Sequence, residues 1–468
     1  AFLIILSPLQ DPHVQLDWNR ILPESNLLSC IFYLYFGYMT FQLFGASTIL
    51  RDELKYMNML SASSLMFEAL DHQLQDASDF DWSGVTRWLY LTPKFFLIAM
   101  TCAMCRIYVS QSYVHHCRTI CSILVFVNIS SWRNFLDLIL LTIIAVISGL
   151  SLRRKPLYIC SLFIGYLAIS STLIDYFEIP VDSTSEGAIL TISSHFLGIL
   201  RALSIALVIA GGPPTVSKIS LLSNALQYSF YPYTIYFGPL ITYEDWISHR
   251  YKIINNDTIH SAKRIGRVRL LNWSLILTRF IRLGVVYYFW SLTQCLIYPN
   301  ALLTYAQTHL QTVPVPRSTL LFSCYLVGLH YFILHWLCYG ASALLSDLDL
   351  LLTEDSATNE STNLHNLHVC LTPAPPSCTL HNPMFSELWR TFDRGMYNFI
   401  LFHIYQPLMR RPAGTRTSRQ LRYLLALVAS FAFVLVFHSV SYRTGKLRVS
   451  LVPQITMIVP FLHGDAQF

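Results

Sequence analysis

Long apolar runs alternate with short polar segments along the whole chain. A helix that crosses a membrane needs about 20 mostly apolar residues, and several runs reach that length with few charges. We count about ten spans and predict that two or three shorter runs are re-entrant. The runs are 26–50, 88–112, 119–132, 138–152, 156–174, 188–211, 219–243, 283–316, 318–346, 396–409, 423–442 and 449–462. The pattern predicts an all-α polytopic membrane protein.

Composition agrees with this prediction. Of the 468 residues, 54% are hydrophobic and 12% are charged, whereas soluble domains carry about 25% charged residues. These values exclude a disordered chain, a fibrous repeat and a secreted disulfide scaffold, and they argue against a soluble enzyme. The net charge of +6 fits basic cytosolic loops, so it does not indicate nucleic-acid binding.

Loop charges predict which side of the membrane each connection faces. Basic segments at 153–155, 250–269 and 410–422 suit the cytosol, and the acidic segment 175–186 suits the lumen. If both 188–211 and 219–243 crossed, the basic segment 250–269 would lie on the acidic side. A re-entrant hairpin at one of these runs would remove the conflict, and the sequence Gly211-Gly212-Pro213-Pro214 offers a break for it.

Ionisable side chains within apolar runs are costly and usually mark a functional site or the interior of a bundle. We interpret His330 and His335 as residues that pack in the bundle or line a cavity, and the role of His403 is open. The full set of candidates is Arg201, His195, His330, His335, Asp393, His403 and His438.

His438 and Asp393 are the strongest candidates for chemistry. His438 lies in the apolar run 423–442, where it could act as a general base or simply form a hydrogen bond within the bundle. Asp393, between Arg390 and Arg394, could cap a helix or pair with those arginines. It could equally orient His438 and stabilise its imidazolium.

Both residues lie in stretches that resemble the membrane-bound O-acyltransferase family. Within it they resemble the branch that transfers palmitate to hedgehog-type signalling proteins, which has Asp where most members have Asn. Residues 389–399 read W-R-T-F-D-R-G-M-Y-N-F, and residues 431–434 read F-A-F-V before His438. Further matching stretches follow in the same order: 76–82, 228–232 with 238–241, and 339–345 with Leu348-Asp349.

The resemblance implies an acyltransferase-type helical bundle in which His438 is the catalytic base and Asp393 is its partner. It implies palmitoyl-CoA as donor and membrane lipid as surroundings. The implied acceptor is the N-terminal cysteine of a hedgehog-type secreted protein, modified in the lumen of the endoplasmic reticulum or the Golgi. Trp389 and Phe431 would line the acyl tunnel, and Arg390 would bind CoA phosphates. Simple core packing also explains the two aromatics, and a cytosolic boundary charge also explains Arg390.

Cys378 follows a proline-rich stretch, fifteen residues before Asp393. From the sequence alone it is an ordinary loop thiol, but the resemblance implies a thiolate ligand of haem b iron.

We expect one membrane-embedded acyltransferase domain over 1–468, with its core at about 188–442 and N-terminal helices at 26–174. The family leads us to expect more membrane helices after His438 than the remaining residues provide, and hence a shortened C-terminus.

The alternatives are an acyltransferase for a Wnt-like or ghrelin-like serine or a lysophospholipid, an inactive paralogue, and a polytopic transporter. Retention of Asp393 and His438 argues against an inactive paralogue. The absence of a repeated half argues mildly against a transporter.

Overall fold

Helices dominate the computed structural model of the protein. The structure describes residues 23–57, 60–62, 74–76, 80–110, 113–130, 132–153, 155–176, 186–212, 218–250, 268–308, 315–353, 367–376, 390–409 and 416–444. These residues fall into two compact units. The first unit comprises Ala1–Ser83, Ile281–Leu337 and Ser377–His381, and the second comprises Gly84–Phe280, Cys338–Pro376 and Asn382–Phe468.

The helices follow the apolar runs closely. Up to the middle of the chain they are α1 (Pro23–Ile49), α2 (Arg51–Tyr56), α3 (Phe80–Tyr90), α4 (Thr92–Tyr108), α5 (Val114–Ile129), α6 (Trp132–Ser151), α7 (Pro156–Tyr176), α8 (Glu186–Gly211) and α9 (Lys218–Ser229). After a 3₁₀ turn at Pro232–Thr234 come α10 (Tyr243–Arg250), α11 (Trp273–Leu296), α12 (Pro299–Thr308), α13 (Arg317–Thr353), α14 (Arg394–Ile400), a π-helical turn (Leu401–Tyr405), α15 (Gln406–Met409) and α16 (Arg416–Thr444).

Two small antiparallel strand pairs accompany the helices. Strand β1 (Leu60–Ala62) pairs with β2 (Leu74–Asp76), and β3 (Val268–Leu270) pairs with β4 (Leu367–Val369). The fold is therefore all-α, as the sequence predicted, with strands of three residues each.

Five described stretches are long and apolar enough to cross a membrane: Val85–Tyr108, Trp132–Ser151, Leu190–Gly211, Trp273–Ala306 and Arg317–Thr353. Their outer faces carry exposed apolar side chains, such as Leu140 and Ile147 on α6, as expected for a lipid-facing surface. The count of about ten spans stays a prediction.

Helices α6 and α8 form the close-packed centre of the second unit. Asn134 near the start of α6 donates to Ser194 near the start of α8, with 2.9 Å between Nδ2 and Oγ. A Cβ at Gly149, near the end of α6, would lie 2.9 Å from the carbonyl oxygen of Ala206 on α8. The two helices thus run parallel, and the missing side chain at Gly149 permits their close approach.

The apolar run 219–243 is not one spanning helix. It forms α9 with 12 residues, then the 3₁₀ turn and an irregular segment that reaches α10. At 1.5 Å per residue α9 is roughly 18 Å long, too short to cross a bilayer core of about 30 Å. This interruption fits the predicted re-entrant segment, with which the basic segment after α10 would not have to follow a second complete crossing.

Candidate active site

Asp393 lies at the N-cap of α14, in the second unit. Its Oδ1 accepts the backbone N–H of Met396 at 2.9 Å, and its Oδ2 accepts the hydroxyl of Tyr339, on α13, at 2.7 Å. The helix-cap interpretation is therefore confirmed. Both oxygens are held by protein donors, so the carboxylate is fixed in position. Each oxygen can still accept a further hydrogen bond, because a carboxylate offers about four lone-pair sites.

An irregular segment, 235–242, threads between α13 and the start of α14. Ser342 on α13 donates its hydroxyl to the carbonyl oxygen of Phe237 at 2.8 Å. A Cβ at Gly395 would overlap the backbone of Leu240, so only glycine permits this approach. Three stretches that the sequence singled out, at 238–241, 339–345 and 389–399, therefore meet around Asp393.

Arg201 anchors the entry to this segment. The side chain is 2% exposed and donates to the carbonyl oxygens of Ser229 at 2.8 Å and Thr234 at 2.6 Å. These carbonyls end α9 and its 3₁₀ turn, where a helix leaves acceptors without intrahelical donors. The role of Arg201 in the structure is therefore to hold an interrupted helix in place.

His403 belongs to the π-helical turn and is linked to α8. Its Nε2 lies 3.0 Å from the Oγ of Ser204, which also accepts the backbone N–H of Tyr243 at 2.9 Å. The Ser204 hydroxyl can donate to His403 or accept from it, depending on the tautomer of the ring.

Helix α16 packs beside α14 through aromatic rings. The rings of Phe399 and Phe433 stack with centroids 5.6 Å apart, and the ring of His403 lies 4.9 Å from that of Phe399. Phe431 is partly buried on α16. Position 438 lies on the same helix, seven residues after Phe431, but the His438 side chain is outside the described part of the chain.

The remaining predicted residues are placed only in part. Arg390 is exposed just before the cap, as a boundary charge would be. Trp389 and Cys378 lie outside the described residues. The structure therefore packs α14, which Asp393 caps, against the helix that carries positions 431 and 438 through Phe399 and Phe433.

Comparison with known proteins decides the family. The model of "MBOAT, membrane-bound O-acyltransferase family" matches residues 75–458. The chain belongs to this family. It is also 26% identical over 225 residues to the protein-cysteine N-palmitoyltransferase HHAT of Mus musculus. That match covers 46% of this chain, and the chain spans only 35% of the relative's length.

The family assignment confirms an acyltransferase-type membrane bundle and implies an acyl-CoA co-substrate. It leaves the acceptor, the acyl chain and the organelle as predictions. Haem also stays a prediction, because no group of three or more His, Cys, Asp or Glu residues in the described ranges is arranged to hold a metal ion. The haem ligand predicted from the family, Cys378, is not among them.

The other ionisable candidates have packing partners. His195 on α8 pairs with Asp137 on α6, with 2.7 Å between Nδ1 and Oδ2. His330, fully buried in the first unit, accepts the indole N–H of Trp290 at 2.8 Å. His335 lies 2.8 Å from the carbonyl oxygen of Tyr331, one turn earlier. His330 thus packs in its bundle as interpreted.

Sequence reasoning missed the contact of Tyr339 with Asp393. Tyr339 lies within a stretch quoted for its resemblance, yet nothing in the sequence pairs it with a carboxylate 54 residues away. A hydroxyl-bearing ring inside an apolar helix was the available signal, since a buried tyrosine hydroxyl usually has a hydrogen-bond partner. The sequence indicated the contact between His403 and Ser204 more weakly, because both are polar side chains within apolar runs.

Proposed function

We propose that this protein transfers palmitate from palmitoyl-CoA to the N-terminal cysteine of a hedgehog-type secreted protein in the lumen of the endoplasmic reticulum. His438 acts as general base and Asp393 fixes and stabilises it. The observation that carries the proposal is the fixed carboxylate of Asp393, at the cap of a helix whose Phe399 packs on the helix of position 438, in a chain similar to a protein-cysteine N-palmitoyltransferase.

The spacing of the two helices supports the pairing. Tyr405 is near Tyr423, and Phe399 stacks on Phe433, so α14 and α16 run antiparallel, as a short connection favours. Asp393 lies six residues before Phe399, and His438 lies five residues after Phe433. At 1.5 Å per residue these offsets are roughly 9 and 7.5 Å. Both positions therefore come to nearly the same level along the helix axes.

The acyl transfer requires one proton acceptor near Asp393 and His438. The ammonium of the acceptor's N-terminus loses a proton to the neutral imidazole of His438, and the freed amine attacks the thioester carbonyl. A C–N bond forms, the C–S bond breaks and CoA leaves as a thiolate that takes up a proton. The carboxylate of Asp393 stabilises the imidazolium formed in the first step.

The decisive experiment is acyl transfer by the purified full chain in detergent. Labelled palmitoyl-CoA and a peptide with an N-terminal cysteine should give palmitoylated peptide. An N-acetylated peptide should give none, because its amine is blocked. His438→Ala should lower kcat by about 10² to 10⁴, the usual contribution of a general base.

His335→Gln is the matched control, since His335 also lies in a membrane helix but bonds to its own helix. It should transfer palmitate at the wild-type rate. Transfer that is unchanged in His438→Ala, or absent with the intact protein and every cysteine peptide, would refute the proposal. Transfer to a serine peptide or a lysophospholipid instead would keep the family chemistry and replace the acceptor.

A further inference from the structure

Four cysteine thiols meet in the hairpin of α4 and α5, in the second unit. Cys102 and Cys105 lie on α4, and Cys117 and Cys121 lie on α5. All four are free thiols in the structure. The side chain of Cys117 forms hydrogen bonds with the other three. They do not form a group that could hold a metal ion, so their contacts favour a bond between two of them.

A hydrogen bond at the far end of the hairpin fixes which thiols face each other. Lys94 on α4 donates its ammonium to Oδ1 of Asn128 on α5 at 2.8 Å. The two helices pack against each other and are antiparallel, as a short connection favours. Cys105 lies eleven residues after Lys94, and Cys117 lies eleven residues before Asn128. The two cysteines therefore face each other, and their side chains are hydrogen-bonded.

A pair between the helices has the spacing that a disulfide needs, whereas a pair within one helix does not. The Cβ atoms of a disulfide lie about 3.5–4.5 Å apart, and those of residues three or four apart on one helix lie about 5–6 Å apart. Packed helices have axes about 8–10 Å apart, and each Cα lies about 2.3 Å from its axis. Facing Cα atoms therefore come within about 6 Å, which a disulfide spans.

Accessibility separates the pair of Cys105 and Cys117 from the second pair between the helices, Cys102 and Cys121. Cys102 is 0% exposed, whereas Cys105 and Cys117 are each partly exposed. Cys105 lies near the end of α4 and Cys117 near the start of α5, so this pair is the nearer one to the tip of the hairpin. A small water-soluble oxidant therefore reaches it more easily.

The pair lies where the hairpin supports the end of α13. Arg106 donates to the carbonyl oxygen of Leu352 at 3.0 Å, and Arg118 pairs with Asp349 at 2.7 Å. Each arginine directly follows one of the two facing cysteines. A covalent bond between these cysteines would therefore join the two supports of α13 to each other.

The charge pattern predicts a reducing environment for the pair. Helix α6 ends at the basic segment 153–155, which predicts a cytosolic position for that end. Helix α5 precedes α6 and runs antiparallel to it through a short turn, so we expect the facing cysteines on the same side. Small thiols keep cytosolic cysteines reduced, and disulfides formed there are usually transient. We therefore expect the pair to be reduced at rest and to respond to an oxidant.

We propose that Cys105 and Cys117 form a reversible disulfide when the protein is exposed to a peroxide, and that this bond stabilises the hairpin beneath α13. The sulfur of one thiol takes an oxygen atom from the peroxide and becomes a sulfenic acid, while the O–O bond breaks and water leaves. The second thiol attacks that sulfur, so the S–S bond forms, the S–O bond breaks and a second water leaves. Two small thiols reduce the bond again and are themselves oxidised to a disulfide. The proposal does not rest on acyl transfer.

Peptide mapping of the purified full chain in detergent tests the bond. Trypsin separates the four cysteines into the peptides 95–106, 107–118 and 119–133. After treatment with hydrogen peroxide and alkylation of the remaining thiols, mass spectrometry should find 95–106 joined to 107–118. Two fewer thiols per chain should be alkylated, and reduction with dithiothreitol should restore both peptides.

Two variants test which thiols react. Cys105→Ser should abolish the cross-link. Cys121→Ser is the matched control, because it removes a neighbouring thiol of the same hairpin, and it should keep the cross-link. Absence of any cross-link in the wild type, a cross-link that survives in Cys105→Ser, or one that joins 119–133 instead of 107–118 would overturn the proposed pair.

Thermal unfolding in detergent tests the effect of the bond. Oxidation should raise the midpoint of the wild type, because a closed loop restricts the unfolded chain. It should leave the midpoint of Cys105→Ser unchanged. Equal midpoints before and after oxidation of the wild type would overturn the stabilising role.

Discussion

Asp393 combines two roles that the sequence left as alternatives. One oxygen caps α14 through Met396 and the other accepts the hydroxyl of Tyr339. A neutral asparagine could keep the cap through its amide oxygen, since Asn and Asp cap helices about equally well, while its NH₂ group donates to the hydroxyl oxygen of Tyr339. What asparagine cannot supply is negative charge beside an imidazolium. The cap and the charge can therefore be separated by a single substitution.

We predict that Asp393→Asn folds like the wild type but loses most of its acyl transfer. Its amide oxygen can accept from Met396 or from Tyr339, whereas Asp393→Ala removes the cap and should cost about 1 kcal/mol of stability. Thermal unfolding in detergent and kcat measured side by side check both variants. If Asp393→Asn transfers palmitate at the wild-type rate, the residue is a helix cap and its charge plays no part in catalysis.

At the scale of elements, the segment 235–242 depends on glycine where it passes α14. A Cβ at Gly395 would overlap the backbone of Leu240, and backbone cannot move aside as a flexible side chain can. Helix propensity alone would favour alanine by about 1 kcal/mol. The overlap opposes this gain and is the larger effect, because overpacking typically costs about 1 to 3 kcal/mol.

Gly395→Ala should therefore lower the thermal midpoint and reduce acyl transfer, because the segment behind Asp393 has to shift. Gly284→Ala on α11 is the matched control, since nothing lies within 4 Å of a Cβ built there. It should unfold at the wild-type temperature or slightly above. Equal midpoints for the two variants would show that segment 235–242 tolerates displacement.

Helix bounds were predicted less well where charged residues lie inside a helix. The run at 283–316 suggested a helix starting near Leu283, yet α11 begins at Trp273. The intervening arginines are accommodated: Arg279 pairs with Asp347 at 2.8 Å, and Arg282 lies 5.7 Å from the ring centroid of Trp336. A prediction that ends a helix at each charged residue misses such partners, because they lie on α13.

Irregular backbone was the other feature that could not be predicted from the sequence. The run 219–243 is uncharged, and hydropathy alone suggested a crossing. Its break is stabilised by Arg201, which binds the freed carbonyls of Ser229 and Thr234. Apolar composition cannot reveal a break whose hydrogen bonds are supplied by a side chain from another helix. The contact of Tyr339 was not predicted for the same reason, because its partner Asp393 lies on another helix.

At the scale of the whole molecule, the orientation follows from contacts within the second unit. Arg106 at the end of α4 donates to the carbonyl oxygen of Leu352 at 3.0 Å, and Arg118 pairs with Asp349. The end of α13 therefore lies on the same side as the start of α5. The basic segment 153–155 predicts that this side is cytosolic, and hence that the chain leaves α13 toward the cytosol.

This orientation makes a prediction about the sequon Asn359-Glu360-Ser361, which follows α13. Glycosylation acts on lumenal acceptors, so Asn359 should remain unmodified when the protein is expressed in mammalian cells. An Asn-Gly-Thr acceptor with flanking spacers, inserted between residues 177 and 185, should be glycosylated, because the acidic charge of that connection predicts a lumenal position. Endoglycosidase treatment followed by gel electrophoresis detects glycans at both sites. The same insertion between 153 and 155 serves as the negative control. A mobility shift that Asn359→Gln abolishes in the native sequence would reverse the predicted orientation of α13.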